Sequence, residues 1–181
     1  ISAEARAEEG VKLDNSKYEH CREPICMLER EGIIRKDILS QNKETSFPVL
    51  LKFLKEKKQG FPYHISPYIR AEIIDILRGE NYLNYSSEYL YPYLFPIIKD
   101  KTDDSKVRAR ALVALQGFRT QELVDLEMEI ASDKTENEET RSAAIINLGS
   151  VKEKQAVDLL IGLLEDENYE VNNNSIDALG E

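Results

Sequence analysis

The sequence predicts an all-α fold of stacked helical hairpins, a solenoid of about four helix pairs. Three observations carry this expectation. One stretch recurs along the chain, each copy opens on a matched polar residue, and each copy holds a wide apolar stripe with helical spacing.

The recurring stretch is clearest from Asp104 to Gly117. Setting Val107, Thr140 and Val171 in register aligns Arg108 with Arg141, Ala111 with Ala144 and Ser175, Leu112 with Ile145 and Ile176, and Leu115 with Leu148 and Leu179. The periods are 33 and 31 residues, and an earlier copy with Ile69, Arg70, Ile73, Ile74 and Leu77 lies 38 residues upstream. Repeats of this length are supersecondary units that cannot bury their apolar face alone and must stack.

Ser66, Asp104, Asn137 and Asn168 each stand three residues before the register position. Their side chains suit N-caps, which accept a hydrogen bond from an amide that the first helical turn leaves without a partner. Pro67 follows where a missing N–H costs nothing. The copies close on Gly79, Gly117, Gly149 and Gly180, expected to be left-handed C-terminal caps. The capped helices, called inner, are expected over 67–78, 105–116, 138–148 and 169–179. Outer helices are expected between them, over 48–58, 87–99, 121–132 and 154–164. Pro92 and Pro96 each remove a backbone donor and are expected to bend or restart the second outer helix. Residues 47–181 form the repeat domain in this reading, and 1–46 an irregular helical N-terminal cap. Within that cap Ile34 and Arg35 suggest a degenerate copy. A chain opening on Ile1 is expected to be a fragment, a processed product or the ordered part of something longer.

In the inner helices apolar residues fall at 0, +4, +5, +7 and +8 from the register position, a stripe wide enough to face an outer helix and both neighbouring repeats. Small residues at +4 and +7, among them Ala111, Ala114, Ala144 and Ala178, permit close helix approach.

The pattern Asp-x-x-Val-Arg-x-x-Ala-x-x-Ala-Leu-x-Gly over 104–117, with Leu-Leu-Glu-Asp at 163–166, resembles HEAT repeats of the kind found in phycobilisome-lyase-like proteins. The resemblance implies a right-handed α-α superhelix whose inner helices line a concave surface, and a role in binding or scaffolding proteins. It also implies that Arg70, Arg108 and Arg141 join a structural ladder with an acidic or amide cap of a neighbouring repeat. Asn172 interrupts that ladder. HEAT-like metal hydroxylases carry repeated His-Glu pairs, which this sequence lacks, and HEAT-like DNA glycosylases use a basic groove.

Charge sharpens the last contrast. Residues 118–181 hold 16 Asp and Glu against 5 Lys and Arg, while 1–117 hold 18 against 19. Phosphate recognition needs clustered cations, so no nucleic-acid partner is expected, and a basic protein surface suits the acidic half better. Acidic residues that only solvate outer faces give the same count. No apolar run approaches the 18 or so residues of a membrane span. The two histidines, His20 and His64, and the two cysteines, Cys21 and Cys26, supply no metal-ligand spacing, so no metal or cofactor is expected. Free thiols at Cys21 and Cys26 favour the cytoplasm, and a bond between them would favour export.

Three places invite a partner. Tyr89 and Tyr93 lead an aromatic run over 81–96, where i,i+4 pairing equally well covers the helix's own face. The inner-helix positions +2 and +6, turned away from the core, are Ala109 and Val113, Ser142 and Ile146, Asn173 and Asp177, and Ala71 and Asp75. Val113 and Ile146 are apolar where solvent is expected, flanked by Arg110 and Asp177, with Gln116 also free to face a partner. Lys52, Lys55, Lys57 and Lys58 form the basic run, most simply a solvated helix face. The expected function is non-catalytic protein binding on the concave surface, with Ala109, Arg110, Val113, Ser142, Ile146, Asp177, Tyr89 and Tyr93 as contacts. A lyase or enzyme accessory subunit and a structural spacer in a longer repeat protein are the alternatives.

Overall fold

The computed structural model describes residues 43–55, 66–79, 84–151 and 153–180. The described residues form eight helices and no strand. In chain order these are α1 (Lys43–Lys55), α2 (Pro67–Arg78), α3 (Ser87–Lys99), α4 (Ser105–Ala114), α5 (Gln121–Ser132), α6 (Glu138–Gly149), α7 (Lys154–Leu163) and α8 (Tyr169–Gly180). The odd-numbered helices are the outer kind and the even-numbered the inner. The chain divides into two compact units, Ile1–Asn84 and Tyr85–Glu181. His20, Cys21, Cys26, His64, the Lys57–Lys58 end of the basic run and Tyr82 lie outside the described residues, as does the expected copy at Ile34–Arg35.

In the first unit α1 packs on α2. Leu50 and Leu54 from one helix and Ile73, Ile74 and Leu77 from the other are fully enclosed. Helix α1 starts at Lys43, ahead of the expected Pro48, which sits inside it.

In the second unit α3 packs on α4, α5 on α6 and α7 on α8, and the inner helices α4, α6 and α8 pack side by side in that order. Two layers result, outer and inner, which is the stacked-hairpin solenoid. The core lies between them: Leu90, Leu94 and Ile98 from α3, Leu112 from α4, Leu115 just beyond it, Leu123 from α5, Ile145 and Leu148 from α6, and Leu160 from α7.

The caps explain why each inner helix starts where it does. Ser66 Oγ accepts from the Ile69 amide at 3.3 Å, Asp104 Oδ1 from Lys106 at 3.0 Å, Asn137 Oδ1 from Glu139 at 2.9 Å and Asn168 Oδ1 from Val171 at 3.1 Å. Each cap also holds the following helix against water's competition for its free amides.

The closing glycines do not share one duty. Only Gly117 is left-handed, with φ of +84°. Gly79 is extended, with φ of −63° and ψ of 134°. Gly149 is the last residue of α6 rather than a cap beyond it, and a Cβ there would lie 2.9 Å from the Ala178 Cα and 3.0 Å from its Cβ. Gly149 is therefore small because α8 passes against it, and its backbone is ordinary. Gly180 likewise stays within α8.

The prolines also act differently from expectation. Pro92 and Pro96 lie inside α3, which continues through both from Ser87 to Lys99. The two are four residues apart and both exposed, so the carbonyls that lose their donors fall on the watery side of the helix, where solvent satisfies them. The buried side, with Leu90, Leu94, Ile97 and Ile98, holds the helix against the core.

A ladder of arginines ties the layers. Arg70, Arg108 and Arg141 are all buried. Each Nε donates to a carbonyl near the end of the preceding outer helix: Arg70 to Leu54 O at 2.8 Å, Arg108 to Ile98 O at 3.0 Å and Arg141 to Ala131 O at 3.1 Å. Arg108 Nη1 then pairs with Glu136, and Arg141 Nη2 with Asp166, each at 2.7 Å. Those carboxylates also accept the amide of the next cap residue, Glu136 from Asn137 and Asp166 from Asn168, both at 2.9 Å. The Arg141 guanidinium holds the Asp166 carboxyl below its usual range. Asn172 does not simply break this ladder. Its Nδ2 donates to Leu164 O, so it keeps the bond to its outer helix and lacks only the ion pair.

Candidate partner-binding groove

Because the inner helices pack side by side with their core stripes turned to the outer layer, their opposite faces form a common surface. A groove of about 370 Å³ crosses it, lined by α4, α6 and α8. Ala109 and Ala143, both buried, form its floor. Val113 and Ile146 stand on it with 44% and 39% of their surface exposed, large for aliphatic side chains on packed helices. Ser142, Arg110 and Asn174 line it half-buried.

Its remaining lining residues are carboxylates, Glu138 and Glu139 from the first turn of α6 and Glu170 from the first turn of α8. All three are exposed. Asn168 Nδ2 donates to Glu138 at 2.7 Å, fixing one of them across the α6–α8 boundary. Acidic groups in a first turn are favoured by the partial positive charge there, so the cluster is stable in place without a bound cation.

Five of the residues selected by sequence register, Ala109, Arg110, Val113, Ser142 and Ile146, are brought together in this groove. Asp177 is not among its lining and neither is Gln116, although both are exposed. The reason is axial. Glu170 and Asp177 are seven residues apart, at nearly the same angle on the helix but about 10 Å apart along its axis. Helix α8 meets the groove with Glu170 and Asn174 from its first turns, and Asp177 lies beyond them.

Tyr89 and Tyr93 sit on outer helix α3, in a different place. Tyr85 and Tyr89 stack with ring centroids 5.0 Å apart, and Tyr93 follows at 6.4 Å from Tyr89. Tyr91 faces the other way, packing on Phe95 at 5.1 Å and on Phe118 at 5.0 Å, and its hydroxyl accepts from Thr120 Oγ1 at 3.3 Å. That side of the aromatic run fastens α3 to the loop before α5.

Beneath the groove lies a buried carboxyl that sequence reasoning missed. Glu127 of α5 is wholly enclosed, and its Oε1 accepts from Asn147 Nδ2 at 2.8 Å. The same Nδ2 donates to Leu112 O at 2.8 Å, so Asn147 links α4, α5 and α6. Burial pushes the Glu127 carboxyl up from its usual 4.5 to about 7, against the Asn147 bond and the Arg119 charge, which pull it down. Arg119 is itself committed to the Phe118 and Asn147 carbonyls and to Ser150. Among the described residues no three His, Cys, Asp or Glu side chains converge to hold a metal ion, and no helix is long and apolar enough to cross a membrane.

Residues 128–181 match the family model for HEAT repeats. The matched stretch runs from within α5 to the end of α8, and so includes two of the three inner helices that line the groove. A comparison with curated proteins returned no match. HEAT repeats serve in general as protein-binding and scaffolding units.

Proposed function

We propose that this chain is a non-catalytic protein-interaction or scaffold module that takes its partner in the groove across α4, α6 and α8. The observation that carries the reading is the pair Val113 and Ile146, two aliphatic side chains exposed side by side at equivalent positions of successive repeats over an alanine floor. Apolar surface set in a polar rim is the usual composition of a contact patch. The partner is a protein with a basic surface, a reading supported by the carboxylates at the groove and by the 16 acidic against 5 basic residues of 118–181. The same acidity disfavours a nucleic acid. Kinship to the phycobilisome-lyase type of HEAT repeat belongs to this reading through the motif of 104–117, as likeness in scaffold without bilin chemistry.

The test is Val113→Glu combined with Ile146→Glu. Both positions are exposed, so the doubly substituted chain should melt within a few degrees of the parent while recovery of the native partner by affinity purification is lost. Undiminished recovery would sink the reading.

A further inference from the structure

The two ends of the groove ask for different chemistry. On α6, Glu138 and Ile146 are eight residues apart in the sequence, roughly 12 Å along the helix axis at 1.5 Å per residue. The carboxylates Glu138, Glu139 and Glu170 therefore gather at the N-terminal ends of α6 and α8, and the apolar pair Val113 and Ile146 lies toward the other ends. Glu139 and Glu170 have no side-chain hydrogen bond or ion pair among the described residues, whereas Glu138 already holds Asn168. A space of about 370 Å³ falls at the small end of ligand clefts, which run from ~300 to 1,000 Å³, and admits side chains rather than a whole helix.

Resting on the reading of the groove as a partner site, we propose that its occupant is an extended, basic peptide segment. One large aliphatic residue of that segment sits between Val113 and Ile146. Lys or Arg, about three to four residues away, meets Glu139 and Glu170, because an extended strand covers ~12 Å in that number of residues at about 3.3 Å each. The two halves differ in what they contribute. The aliphatic contact supplies burial, and the exposed carboxylates set which charge is accepted and in which direction the segment lies.

The probe is a fluorescein-labelled peptide in a Gly/Ser background with one Leu and, four positions on, two Lys. Its companions replace the two Lys by Glu, or the Leu by Ser. Fluorescence polarisation with the 181-residue chain should show binding of the Leu/Lys peptide. Its Glu companion should bind about tenfold more weakly, the size expected for two exposed charge contacts. Glu139→Lys with Glu170→Lys should reverse the order of the two peptides, and the milder Glu139→Gln with Glu170→Gln should make them equal. Asp158→Lys with Glu165→Lys makes the same change in net charge on and beyond α7, away from the groove, and should preserve the preference.

Equal binding of the Lys and Glu peptides overturns the proposal and leaves the groove reading standing. A loss of preference in the α7 variant as large as in the groove variant overturns it too, because net charge alone would then account for the discrimination. Absence of any binding at millimolar peptide is a third refutation. Retained binding of the Leu/Lys peptide by the Val113→Glu, Ile146→Glu chain defeats the underlying groove reading instead.

Discussion

Two successive junctions in the second unit, α4 to α6 and α6 to α8, use the same repeat and are fastened differently. Both carry an arginine rung, Arg108 to Glu136 in the first and Arg141 to Asp166 in the second. Beyond that they diverge. The first is bridged by a buried polar side chain, Asn147, which reaches across to Leu112 O and back to Glu127. The second has no such bridge and instead brings the helices into backbone contact at Gly149 and Ala178. A repeat thus constrains where neighbours meet while leaving open whether polar satisfaction or close packing holds them.

The shared rung should produce the largest effect. Replacing Arg108 with Met keeps the stem and removes the charge, leaving Glu136 with only 8% of its side-chain surface exposed and no countercharge. Breaking one side of a buried pair costs about 3 kcal/mol or more. Chemical denaturation should show that loss, and Arg141→Met should cost a similar amount. A markedly smaller cost for either would mean that the rungs are not equivalent.

The polar bridge should make the first junction lose stability as pH rises. Glu127 Oε2 and Asn147 Oδ1 are both buried without a partner, and a proton on the carboxyl supplies the missing donor at that site. The folded chain keeps this proton up to about pH 7, whereas a free carboxyl releases it near 4.5. Between those values the folded form binds more protons than the unfolded, so stability falls as pH rises through the window. Glu127→Gln removes that fall. Its advantage over the parent should be small below pH 4.5 and reach about 3 kcal/mol above 7, read from denaturation curves across the range. Parallel curves for the two proteins would show that the carboxyl is solvated.

Close packing should show the smallest effect, confined to the second junction. Gly149→Ala gains about 1 kcal/mol of helix propensity and loses ~1–3 kcal/mol to the contact with Ala178, for a net loss of about 1 kcal/mol. Amide exchange should quicken in α8 and stay unchanged in α4. A stabilised Gly149→Ala chain would place the glycine there by chance.

These junctions also show what could be read from the sequence. Caps were legible because Ser66, Asp104, Asn137 and Asn168 act within their own first turn, where identity and position suffice. Register was legible for the same reason and led to Val113 and Ile146. Gly149 was misassigned because a glycine near a helix end looks alike whether it bends the chain or makes room for another helix. Glu127 was unreadable since an acidic residue on an outer helix resembles solvated charge until the neighbour that encloses it is known. The carboxylates at the groove were passed over because Glu138, Glu139 and Glu170 fall in first turns, where acidic residues have a local explanation. Pro92 and Pro96 suggested a break because sequence alone does not show that both face water.

One consequence of the arginine rungs concerns how the molecule comes apart. Each guanidinium belongs to three elements at once: the helix that carries it, the last turn of the outer helix before it, and the turn that starts the next repeat. Helices α3 and α5 carry partial negative charge on their last carbonyls, and the guanidinium offsets this at Ile98 O and Ala131 O. Melting one repeat therefore uncaps its predecessor and unseats its successor in the same event. The stacked array should behave as a cooperative block through α6. Helix α8 is the exception, since Asn172 reaches only backward, and it is there that fraying can proceed without carrying the rest of the array with it.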